Sequence, residues 1–150
     1  MDFSYFNEEY NRLYKEEDNL YHRLARHFGL SDSAFWILYT LEAAQKPLTQ
    51  TELCEYLSLS KQTIHSGLKQ LEGEGRLCLS SGPGRNKYIH LTEAGQDLVR
   101  RTARPVLELE EQAFLGMEEQ ARDSLLTLHR QRLELLLRQA ERIFQNVQEE

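Results

Sequence analysis

The residues best equipped for chemistry lie in one short run, "LSKQTIHSGLKQLEGEG", Leu59 to Gly75. Placed on a helical wheel at about 100° per residue, Ile64, Leu68 and Leu71 cluster on one side and must face a core. Gln62, Ser66 and Lys69 point the opposite way, flanked by Thr63 and Gln70, with His65 at one edge and Lys61 near the start. No acid precedes Glu72 in the run. A carboxylate on that face would repel phosphate, whereas Gln, Ser, Thr and Lys can donate to phosphates or reach base edges in a major groove. Lys61 also sits where helix N-terminal N–H groups favour a phosphate. The bland reading of the same residues is an ordinary solvated helix face, and only the surrounding elements decide between the two.

Those elements are readable from spacing. Apolar residues at 3, 6, 10, 13, 20, 24 and 28 give a first helix, which Gly29 stops. Ser31, Asp32 and Ser33 are N-cap candidates for "AFWILYTLEAAQ", and Lys46-Pro47 breaks that helix. Thr49 and Glu52 have the spacing of a capping box, opening a short helix with Leu53 and Leu57 on one face. Ser60 caps the polar helix, and Gly73 and Gly75 end it. Between Arg76 and Leu91 the period changes. "RLCLS" and "KYIHL" read as strands joined by the turn-rich "SGPGRN", a hairpin whose tip carries Arg85, Asn86 and Lys87. Thr92 caps a further helix, with a kink or break expected near Arg104 because Pro105 follows. The last helix, from about Glu118 to Val147, would be about 45 Å long, and its apolar band exceeds what one packing partner needs. Part of that band is expected to bury against another chain.

Charge is partitioned along the chain. The whole carries −6, yet residues 46–91 hold six Lys/Arg against four Glu, a net +2, so the remainder carries −8. The middle segment is the surface least repellent to a polyanion.

Helix, capped helix, polar helix, hairpin and "LTEAG" in this order resemble the MarR family of winged helix-turn-helix transcription regulators. The carrying residues are "LTQTELCEYLSLSKQTIHSGLKQLEGEGRL", Arg85 in the loop, and "LTEAGQDL". The resemblance implies a mainly α fold with a small β-hairpin wing, a single domain over 1–150. Within it, residues 30–91 would form the DNA-binding lobe, and 1–29 and 92–150 the dimerisation helices. It implies a cytoplasmic homodimer acting as a ligand-responsive repressor on a pseudo-palindromic operator in double-stranded DNA, with its two reading helices roughly 34 Å apart. Arg85 matches the family's wing arginine, which a narrow minor groove attracts. Small molecules, often aromatic acids, commonly release such proteins from DNA. The chain departs from the family where an Asp usually stands two residues before the wing arginine, since that place holds Pro83.

Ten of the fourteen aromatic residues lie in the first 39 positions. Core and dimer packing accounts for most of them. The sharper reading is an effector pocket between the first two helices and a partner chain's arm, lined by some of Tyr10, Tyr14, Trp36 and Tyr39, each pairing an apolar body with a polar handle.

Other classes find little support. His22 and His27 are about 140° apart around a helix, no His pair has metal-site spacing, and no metal or cofactor is expected. Motifs for nucleophilic or nucleotide chemistry are missing, so no enzyme is expected. Cys54 reads as a buried structural residue, while Cys78, on a strand, is a candidate for exposure. The start "MDFSYFNEEY" lacks the pattern of an export signal, and the longest apolar run, "AFWILY", is too short for a membrane span. Two alternatives remain open: a winged-helix protein-interaction module, and a small-molecule-binding dimer without DNA binding.

Overall fold

A computed structural model describes residues 1–82 and 87–146 of the chain. In chain order it contains α1 (Phe3–His27), α2 (Asp32–Ala44), β1 (Leu48–Thr49), α3 (Gln50–Leu57), α4 (Lys61–Gly73), β2 (Leu77–Ser81), β3 (Lys87–Leu91), α5 (Glu93–Arg101), α6 (Ala103–Gly116) and α7 (Glu119–Asn146). The three strands form one antiparallel sheet in the order β1-β3-β2. The chain divides into two compact units, 1–108 and 109–150.

Helix starts follow the side chains that cap them. Ser31 accepts from the Ala34 amide at 3.2 Å, Ser60 from Thr63 at 3.1 Å and Thr92 from Gly95 at 3.0 Å. At α3 the capping box is complete: Thr49 Oγ1 accepts from the Glu52 amide at 3.2 Å, and Glu52 Oε2 accepts from the Thr49 amide at 2.7 Å. That amide, with help from the Thr49 hydroxyl and nearby Lys46, holds the Glu52 carboxyl below its ordinary range. The cap of α1 was not foreseen; Asp2 accepts from the Tyr5 amide at 2.9 Å.

Helix ends follow backbone geometry. Gly75 takes a left-handed φ of 70°. This lets the Gly75 amide reach Glu72 O at 2.9 Å and the Arg76 amide reach Leu71 O at 2.8 Å, satisfying the last carbonyls of α4. Gly73, expected to share the stop, is the last helical residue. Helix α2 ends at Ala44 because Gln45 turns left-handed, ahead of Lys46-Pro47.

The expected break before Pro105 falls earlier, at Thr102, whose backbone leaves the helical region (φ −128°, ψ −76°). Pro105 is the third residue of α6, in the first turn, where a missing N–H costs no helical bond. The Thr102 hydroxyl, buried, donates to Leu98 O at 2.8 Å and secures the end of α5.

The core of the first unit joins α2, α3, α4, the sheet and α5 through Ile37, Leu38, Leu53, Ile64, Leu71, Ile89 and Val99. A second cluster sets Phe35 against Ala25 of α1 and Val106 of α6. Strand β1 was not read from the sequence. It is two residues long and exists because Leu48 and Thr49 pair with Ile89 and Tyr88 of β3. In the second unit, Arg122 caps α6 by donating to Met117 O from Nε (2.9 Å) and Nη2 (2.7 Å), with its guanidinium 4.3 Å from the centre of the Phe114 ring. No described helix is long and apolar enough to cross a membrane.

Candidate nucleic-acid interface

Helix α4 is clamped from behind. Ile64 and Leu71 are fully buried, Leu68 nearly so, and Gly67 lies against α2. A Cβ on Gly67 would come within 2.7 Å of Ile37 Cδ1. The small residue therefore lets α2 and α4 pack close, which the sequence reading did not anticipate. With that side buried, Lys61, Gln62, Thr63, His65, Ser66, Lys69 and Gln70 are all exposed. Lys61 and Lys69 are the charged groups on the face, and acids begin only at Glu72 and Glu74.

Two of these side chains have local partners. The Thr63 hydroxyl lies 2.8 Å from Ser60 Oγ at the cap. The Gln70 amide donates to Glu74 Oε1 at 3.0 Å, which draws it toward the acidic end of the helix. The acid-free surface is thus concentrated in the first turns of α4. It is extended by Gln50 and Thr51 of α3, which share a recess of about 250 Å³ with Lys61 and Cys54. Gln50 Nε2 donates toward Lys61 O at 3.4 Å. Nothing in residue type alone singled out Gln50 and Thr51; their nearness to Lys61 depends on how α3 and α4 meet.

The hairpin pairs Leu77–Ser81 with Lys87–Leu91 in register, Ser81 opposite Lys87. Lys87 is exposed at the start of β3. Arg85 and Asn86 lie outside the described residues. At the base of the wing, Gly95 permits a close approach: a Cβ there would stand 1.9 Å from Arg76 O, the acceptor of the Thr92 amide. The Thr92 hydroxyl also donates to Gly75 O at 2.7 Å, so the end of α4 and the start of α5 are tied together.

The aromatic residues separate. Trp36 and Tyr39 meet edge to face at 5.2 Å and line a groove of about 380 Å³ with Tyr56 and Leu57 of α3. Tyr10 stacks on Phe6 with ring centres 5.7 Å apart, and Tyr14 is exposed; neither lines the groove. Its second wall comes from α3. Cys54 is half-buried at the edge of the core and Cys78 is exposed.

Three-helix packing, a two-stranded β-hairpin and a polar helix held outward define a winged helix-turn-helix protein. Residues 28–85 match the MarR family model. The described fold is similar to that of a MarR family regulator from Neisseria meningitidis (22% identity, 89% of this chain and 95% of that one, TM-score 0.75). It is also similar to MepR of Staphylococcus aureus in complex with DNA (20% identity, 90% and 96%, TM-score 0.71). A MarR family regulator from Silicibacter pomeroyi aligns at 21% identity over 86% and 88% of the two chains, with a TM-score of 0.66. No curated protein matches the sequence significantly. The described chain thus has the fold of MarR family regulators, and its winged-helix segment is similar to that family's model.

Proposed function

We propose that this protein is a non-enzymatic, sequence-specific DNA-binding transcription regulator. It acts as a cytoplasmic homodimer on a pseudo-palindromic operator. The observation that carries the reading is the outward run of Lys61, Gln62, Thr63, His65, Ser66 and Lys69 on α4, all exposed and free of acids in a chain of charge −6. On this reading α4 enters the major groove and its side chains discriminate bases, while the wing residues Arg85, Asn86 and Lys87 reach the flanking minor groove. The similarity of the fold to MepR, a protein solved in complex with DNA, supports the DNA-binding part of the reading.

Dimerisation is supported by α7, where Leu125, Leu128, Leu133 and Leu137 are each about half exposed or more. Residues 1–29 and 92–150 serve that role, and residues 30–91 read DNA. Repression relieved by a small aromatic effector completes the proposal, with Trp36 and Tyr39 as its contacts.

The test is fluorescence anisotropy with random and selected duplexes at rising salt. DNA binding through phosphate contacts weakens steeply as salt increases, and selection from a random library returns an inverted repeat. Absence of any salt-sensitive binding would remove the reading and leave a protein-interaction module or a ligand-binding dimer.

A further inference from the structure

The last two turns of α1 carry positive charge that the fold leaves unanswered. From Asn19 to Ser31 the chain holds His22, Arg23, Arg26 and His27 and no acid, within a protein of charge −6. All four of these side chains are exposed. On a helical wheel Arg23, Arg26 and His27 fall within about 100° of one another, so they share one side of the helix. Leu20 and Leu24 lie beside them. His22 is already engaged: its Nδ1 donates to the Asp32 carboxylate, 2.8 Å from each oxygen, and so meets the first acid of α2.

The two arginines differ from the others in their unit. Among the described residues of 1–108, Arg12 pairs with Glu9 and Glu16, Arg100 with Asp97, and Arg104 with Glu42. Arg76 and Arg101 donate to the carbonyls of Ala94 and Asp97. No carboxylate or carbonyl among the described residues receives Arg23 or Arg26. Cations in the final turn of a helix offset its dipole, which accounts for Arg26 and His27 but fades before Arg23.

Position in the fold decides what this charge can meet. Residues 28–31 join α1 to α2, and the Leu30 amide donates to Ala25 O at 2.9 Å, so the end of α1 stays against the start of α2. The start of α2 in turn touches α4: a Cβ on Gly67 would stand 3.4 Å from Ser33 Oγ. Thr63 and Gln70, one turn either side of Gly67, border the outward face of α4 on that side. We propose that Arg23, Arg26 and His27 form a second phosphate-binding surface, which grips the DNA backbone flanking the bases that α4 reads. This surface rests on the DNA-binding reading above, and it gives α1 a task beyond dimerisation. A guanidinium takes a phosphate on two parallel N–H donors. Such contacts fix register and add affinity on any sequence, because the backbone is the same everywhere. Lys61 and Lys69 are the cations of α4, so Arg23 and Arg26 double the fixed positive charge that this part of each copy sets against the backbone.

Anisotropy of the full chain on a selected operator and on random duplex, across a range of salt, tests the surface. Arg23→Gln combined with Arg26→Gln is expected to weaken binding to both duplexes about tenfold and to leave their ratio unchanged. The same pair lowers the salt slope by about 2 per copy bound. Arg23→Lys with Arg26→Lys keeps the charge and restores the slope. Gln62→Ala on α4 acts the other way, narrowing the ratio between duplexes and leaving the slope alone. A slope and affinity equal to the parent's in the glutamine pair would overturn the surface while leaving the reading by α4 in place. A glutamine pair that dissociates into single chains in sedimentation velocity would overturn it too, by assigning the patch to a contact between copies. A parent without salt-sensitive binding removes the DNA reading itself, and the surface with it.

Discussion

Helices α4 and α7 dispose of their apolar residues in opposite ways. In α4, Ile64 and Leu71 are fully buried and every polar candidate is exposed, so the amphipathic pattern is matched within the chain. In α7 no described residue is buried; Leu125 is 60% exposed and Leu137 57%. Burying a leucine is worth about 1.5–3 kcal/mol, so α7 leaves much stabilisation unrealised in the single chain. The comparison teaches that one helix is finished by its own fold and offers its polar side. The other offers its apolar side, and a second copy is the partner proposed for it.

The contrast breaks most visibly at α7. Leu133→Glu combined with Leu137→Glu is expected to weaken self-association on the order of a thousandfold, as loss of central interface residues does. Sedimentation velocity reads this directly, and a variant that stays dimeric would remove this stretch from the interface. Far-ultraviolet circular dichroism should show the winged-helix lobe still folded.

A comparable insult inside the finished lobe acts on folding instead. Gly95→Ala drives a Cβ into Arg76 O and is expected to cost about 3 kcal/mol in chemical denaturation. A stability loss near zero would mean that the junction between α4 and α5 yields easily.

Changing the polar side of α4 should spare both folding and assembly. Lys69→Glu sets a carboxylate against phosphate and is expected to weaken operator binding about a hundredfold. Unchanged affinity in anisotropy would show that α4 does not face DNA.

The smallest effect is local. The Glu52 carboxyl is held below its ordinary range by the Thr49 amide, so its contribution is present above the unfolded pKa and fades as pH falls through the folded one. Glu52→Gln should therefore lower the neutral-pH unfolding midpoint slightly and flatten the acid limb, with stability at low pH close to the parent's. An acid limb identical to the parent's would deny the capping box this role.

Much of the lobe was legible because its signals are local. Ser31, Thr49, Ser60 and Thr92 each cap with an amide three residues on, and Gly29 and Gly75 turn left-handed where a helix must stop. Less legible was anything requiring distant partners. Strand β1 needs β3, and Gly67 and Gly95 matter because Ile37 and Arg76 approach them. The break at Thr102 is a case between the two: Pro105 announced it, but the first turn of α6 tolerated the proline and moved the break upstream.

By itself, the sequence determined where helices begin and end and which side of each is apolar, since hydrogen bonds within one turn and a 3.6-residue period are properties of neighbours. Tertiary structure alone decided that Arg104 reaches Glu42 across 62 positions, that Trp36 and Tyr39 share a groove with α3, and that α4 is held with its polar side outward. Those outcomes depend on how closely elements remote in the chain can pack. Volume and backbone clearance set that distance, and no local window of residues contains it.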